Sequence, residues 1–165
     1  MPASHRTGLY IFSVQREDSI AVGKNFVTIE NPAGSGKILS LGGLFVSFFA
    51  TVAGPSYPLR GLRCAGPSGG TLRAASAVCK FDTALPDSVA LIRTDNPSVA
   101  STDGAFFNSP APTVKDTIGG VHEIDAPSGF NPFLIRPGEA VLVRQDIGAV
   151  GVLWNISILW KEVSP

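Results

Sequence analysis

The 165 residues carry 13 basic and 13 acidic side chains, a formal net charge of zero. That balance argues against a nucleic-acid binder, whose affinity would come mainly from excess basic charge. Charged residues make up only 16% of the chain, against about 25% in an ordinary soluble domain. The mean hydropathy is positive, so the composition predicts an oligomer or lattice component that buries surface against partners.

In chain order, residues 1–8 read as a free arm, and residues 9–165 as a single β-sandwich domain. The opening "MPASHRTGLY" has no charged start followed by an apolar run, so no signal peptide is expected. "LYIFSV" and "FVTIE" then read as short strands. "NPAGSGKILS", residues 31–40, poses the first functional question, because Gly36-Lys37 matches the end of a phosphate-binding loop, G-x-x-x-x-G-K-[ST]. The leading glycine is Asn31, the hydroxyl position is Ile38, and Pro32 is foreign to that loop. The stretch therefore predicts a Pro/Gly turn between two strands.

"ILSLGGLFVSFFATVAG", 38–54, is at the short limit for a membrane span and is diluted by Gly42-Gly43 and three hydroxyl residues. It predicts a pair of buried strands and no membrane partner. "GPSGG", 66–70, predicts a hairpin tip. That register would hold Cys64 and Cys79 about 23 Å apart at ~3.3 Å per residue, beyond disulfide reach, so both are expected as free, buried thiols. Residues 71–80 leave strand and helix open.

Residues 94–119 are polar and Pro-rich, and predict a long loop with Phe106-Phe107 at its centre, packed either on the domain's own sheet, the favoured reading, or on a neighbour. "FLIRPGEAVLVRQD", 133–146, centres on Arg136-Pro137-Gly138-Glu139, a type II turn with proline second and glycine third. With the last strand its flanking strands predict a three-stranded antiparallel meander. In that last strand Trp154, Ile156, Ile158 and Trp160 share one face, Asn155, Ser157 and Lys161 the other, and Leu159 breaks the alternation. Short strands and turns at this spacing predict an all-β fold, an antiparallel, jelly-roll-like sandwich.

The charge is uneven along the chain. Residues 31–81 hold Lys37, Arg60, Arg63, Arg73 and Lys80 and no acid, whereas residues 82–165 hold twice as many acids as bases. Either the halves steer neighbouring copies or partners together, or they interleave within one fold.

Catalytic patterns are weak. "GPSGG" satisfies G-x-S-x-G, with Ser68 as nucleophile and Asp103 or Asp116 and His122 completing a triad order. The alternating strands and helices of a hydrolase are missing, so a serine hydrolase using Ser68 is only a remote alternative. His122-Glu123 begins like H-E-x-x-H, but residue 126 is Ala126, and His5 lies in the arm, so no metal ligand set forms. No cofactor and no small-molecule substrate is expected.

Two segments carry a resemblance. "IRPGEAVLVRQD" followed by "GVLWNISILWKE", and the earlier "FVTIENPAGSGKILSL", resemble segments of small virion proteins from tailed bacteriophages, over roughly residues 130–162 and 25–60. The resemblance implies a non-enzymatic β-sandwich, made in the host cytoplasm, that binds a capsid or tail. The leading expectation is a capsid decoration (cement) protein on the virion surface, its partners the major capsid protein and copies of itself, a trimer. Arg60, Arg63 and Arg73 would supply polar contacts, and Phe106 and Phe107 would anchor. The alternative is a tail or adsorption component with a receptor- or carbohydrate-binding role.

Overall fold

The computed structural model describes residues 8–18, 24–50, 59–109, 118–123, 133–146 and 152–165. Twelve strands follow in chain order: β1 (Gly8–Asp18), β2 (Lys24–Glu30), β3 (Ile38–Ala50), β4 (Leu59–Ala65), β5 (Thr71–Leu72), β6 (Cys79–Lys80), β7 (Leu91–Thr94), β8 (Ser101–Ser109), β9 (Ile118–Glu123), β10 (Phe133–Ile135), β11 (Ala140–Gln145) and β12 (Val152–Val163). The only helical element among the described residues is one 3-10 turn, Ala75–Ala77.

All pairings are antiparallel and form two sheets. The first runs β10-β3-β12-β1-β6, with β9 also on β3; the second runs β5-β7-β2-β11-β4-β8. Their inner faces share one core, so the expected all-β sandwich is the observed fold. The stripe foreseen on β12 is that core's spine: Trp154, Ile156, Ile158 and Trp160 are buried. Tyr10 stacks on Trp160 at 5.9 Å, and Phe48 meets Trp154 edge-on at 5.4 Å. Phe26, Ile29, Ile92, Val141 and Val143 close the core from the second sheet.

Several local expectations are corrected. Residues 38–50 form one 13-residue strand, not two. Leu159 opposes Gly43 while Trp160 opposes Leu41, so Gly42 is the extra residue of a bulge, not a break. Residues 133–160 do not form a meander, because β10 pairs β3 in the first sheet while β11 pairs β2 and β4 in the second. The type II turn itself is present: Gly138 has φ +86°, and the Glu139 N–H donates to Arg136 O at 2.9 Å. It turns the chain from one sheet to the other instead of folding it back within one.

The predicted 94–119 loop is also corrected, since β8 occupies 101–109 as an edge strand on β4. The core does hold its aromatics: Phe106 and Phe107 pack against the main cluster. Finally, 66–70 is not a hairpin tip. β4 pairs β8 and β11, and β5 pairs β7 at the opposite edge of the sheet. Residues 1–7, 51–58 and Asp116 lie outside the described residues.

Candidate functional site

The two segments that carry the resemblance meet in space. Residues 31–37 lead from β2 into β3 and residues 136–139 from β10 into β11, so both arch between the sheets at the same end. Asn31, fully buried, joins them. Its Nδ2 donates to Lys37 O at 2.8 Å and to Ile135 O at 2.9 Å, and its Oδ1 accepts from Ser35 Oγ at 2.6 Å. Its backbone N–H donates to Glu139 O at 2.9 Å, and its carbonyl accepts from the Gly138 N–H at 2.7 Å. Every polar atom of Asn31 is thus engaged in closing the arches. Gly34 and Gly36 adopt positive φ to complete the turn. The phosphate-loop question is answered: this is the predicted turn, and Lys37 Nζ points to Ser164 Oγ at 3.5 Å.

Each of the three arginines is already paired. Arg60 Nη1 lies 2.7 Å from Asp146, Arg63 Nη1 3.0 Å from Glu139, and Arg73 Nη2 3.3 Å from Asp95. Lys80 likewise meets Asp87 at 3.0 Å. The basic and acidic halves of the chain therefore interleave within the fold. Arg63 also donates to Leu134 O at 3.0 Å and lies over the Phe133 ring at 4.2 Å. Arg73 Nε donates to Thr94 Oγ1 at 2.6 Å. A hydrogen bond from Thr71 is the main reason the Asp95 carboxyl sits below its ordinary pKa, with Thr94 and the Arg73 charge adding to it. Phe106 sits 4.3 Å from Phe133, and a Cβ on Gly61 would strike its ring at 2.6 Å. The arginines are spread over β4 and the segment after β5, so the structure does not gather the five predicted contact residues into one patch.

Ser68 lies in a strap. The Ser68 N–H donates to Ser98 O and the Ser98 N–H to Ser68 O, both at 2.8 Å, and the Ala100 N–H donates to Ala65 O at 2.9 Å. Segments 66–70 and 95–100 thereby run side by side over the outer face of the second sheet. Beneath them Leu62, Cys64, Ala140 and Leu142 form a small buried cluster against which Val99 packs. Asn25 Nδ2 holds the strap's far end through Pro97 O at 2.7 Å. Residues 71–80 supply no helix beyond the one 3-10 turn, so the strand–turn–helix frame of a nucleophile elbow is absent around Ser68. His122 opposes Val46 in the first sheet, across the sandwich from the strap.

Cys64 is buried, and burial, aided by nearby Glu30, pushes its thiol up to about 11. Cys79 is exposed, contrary to expectation, because it opposes Ile11 on the outer face at the sheet's edge. The two free thiols stand in different sheets.

The outer face of the first sheet was not singled out by sequence. Opposite the buried residues of β1, β3 and β12, it presents Leu9, Ile11, Phe45, Leu153 and Leu159, all half-buried, with Phe49 37% exposed. Leu134 joins them from β10, opposite Ser40. Between the apolar rows lie polar groups that bond one another. The hydroxyls of Ser13 and Ser157 are 2.7 Å apart, and Asn155 Nδ2 donates to Ser47 Oγ at 3.2 Å. Lys161 is the one charge that the described side chains place there. The available sequence signal was Leu159, the apolar residue on the polar side of the β12 alternation.

The described fold thus defines an all-β, two-sheet sandwich with an arch-closed end. No protein-family model, curated protein or solved structure matches the chain.

Proposed function

We propose that the chain is a structural protein of a tailed-bacteriophage virion, a decoration protein that binds the outer capsid surface and stabilises the shell. The observation that carries this reading is the meeting of the two resembling segments. They are separated by about a hundred residues in sequence, yet they build one hydrogen-bonded double arch around Asn31. The charge-poor composition supports the same reading, since such a surface gains from burial against a neighbour.

In this reading the protein transforms no molecule and needs no cofactor. It bridges neighbouring major capsid subunits by apolar burial, at about 25 cal/mol per Å². Arg60, Arg63 and Arg73 exchange their internal carboxylates for acidic groups on the shell. The Arg63–Glu139 and Arg73–Asp95 pairs are exposed and contribute only about 0–1 kcal/mol each, so giving them up costs little. These residues therefore set orientation more than affinity.

The test is the copy number in purified virions, measured by quantitative mass spectrometry. Hundreds of copies per particle are expected. A few copies would move the protein to the tail or adsorption apparatus, and its absence from the particle would overturn the proposal. Reversing Arg60, Arg63 and Arg73 together is expected to lower occupancy on purified shells. Unchanged occupancy would remove these residues from the contact.

A further inference from the structure

We propose that the outer face of the first sheet is a self-association surface, and that its occupant is the same face of a second copy. The inference goes beyond the virion reading and does not depend on it.

Desolvation carries the argument. A sheet face left in water normally carries unpaired polar side chains whose burial would be costly. Here Ser13 pairs with Ser157 and Asn155 with Ser47, so four of the polar side chains between the apolar rows already have a partner within the chain. The rows beside them are apolar: Leu9, Ile11 and Leu159 on one side, Phe49 and Leu153 on the other. Lys161 stands towards one end, opposite Ser40 and Leu9, where its long stem can keep the ammonium at the rim.

The second sheet shows how this chain treats an apolar outer face when it covers one itself. A strap bonded through Ser68 and Ser98 lies over Leu62, Cys64, Ala140 and Leu142. Among the described residues no such strap crosses the first sheet.

Size and shape select the occupant. The 12 residues of β12 run about 40 Å at ~3.3 Å each. Four strand positions, namely β1, β12, β3 and the one shared by β9 and β10, span about 20 Å. That outline, at most about 800 Å², has room for the ~800 Å² that each partner buries in an interface of standard size. A twisted sheet face packs best on another sheet of the same twist, and a second copy supplies that twist by identity. Two copies of zero net charge do not repel one another. Face-to-face packing of this kind is isologous, which gives a twofold dimer in place of the threefold expected from the sequence.

Sedimentation equilibrium of the full chain at micromolar concentration tests this. The expected species has twice the 17.2 kDa chain mass. Phe49→Lys, at an already exposed position, and Leu159→Lys, at the centre of the apolar row, are each expected to weaken the dimer at least about tenfold. Leu72→Lys, exposed on the other sheet, should leave it intact. Raising salt from about 0.05 to about 1 M should not dissociate it, because screening acts on charges. A monomeric wild type would overturn the proposal. So would an oligomer of any order that survives Phe49→Lys, with folding of that variant checked by circular dichroism. Failure of capsid binding leaves these readouts unmoved, so the two proposals fail separately.

Discussion

The two sheets turn opposite kinds of outer face to their surroundings. The second sheet's face carries Leu62, Cys64, Ala140 and Leu142, and the chain roofs it with 66–70 and 95–100. The first sheet's face carries Leu9, Ile11, Phe45, Leu153 and Leu159, and answers with hydroxyls and an amide that bond one another. β11 records the difference in its burial: Ala140, Val141, Leu142 and Val143 are consecutively buried, whereas β12 alternates strictly. A continuous apolar run therefore marks a strand covered on both faces, and a strict alternation marks one covered on a single face.

The largest effect should come from breaking the roof. Gly70 has φ +58°, and a Cβ there would stand 2.3 Å from Thr94 O. Gly70→Ala combines backbone strain with a clash against main chain, and about 3–5 kcal/mol of stability should be lost in urea unfolding. Removing what the roof covers comes next. Leu142→Ala should cost about 2–4 kcal/mol, because Leu142 is fully buried. The matching change on the other sheet, Leu159→Ala, should cost less than about 1 kcal/mol in the dissociated monomer. Equal costs at the two positions would mean that the faces do not differ.

A smaller effect is expected from pH. The Cys64 thiol stands at about 11, above its ordinary 9.0. Between those values the unfolded chain has released the proton and the folded chain retains it, so stability falls as pH rises. This contribution is fully present below about pH 9 and lost by about pH 11. Cys64→Ala should flatten the fall over that window, measured as the change in unfolding midpoint. Last, a thiol reagent at neutral pH should modify exposed Cys79 quickly and buried Cys64 slowly. Equal rates would show that burial in the second sheet does not protect Cys64.

What the sequence disclosed depended on range. The Trp154–Trp160 stripe was readable because alternation is a property of the strand itself. The Arg136–Glu139 turn was readable because proline and glycine set its dihedrals. Whether its flanking strands pair was not, since turn chemistry fixes four residues and says nothing about which sheet each strand joins. Gly42-Gly43 likewise signals an interruption without distinguishing a bulge from a turn. β8 was missed because its first five residues, Ser101 to Ala105, are exposed and its two aromatics are adjacent, so it shows no apolar period. At the candidate site, the charge asymmetry around Arg60, Arg63 and Arg73 was legible, but their partners Asp146, Glu139 and Asp95 were not. Asn31 read as a turn residue, while its role as a clamp depends on Ile135, Gly138 and Glu139, about a hundred positions away.

That distance has a consequence for biogenesis. β3 finds its neighbours in β9, β10 and β12, and β1 finds its main one in β12, so every one of these ladders waits for the last third of the chain. On the ribosome a long greasy ribbon must remain unmatched until translation is nearly over, which lengthens the interval in which stray association competes with folding. Truncation from the carboxyl end should therefore abolish folding outright and leave no smaller sandwich behind.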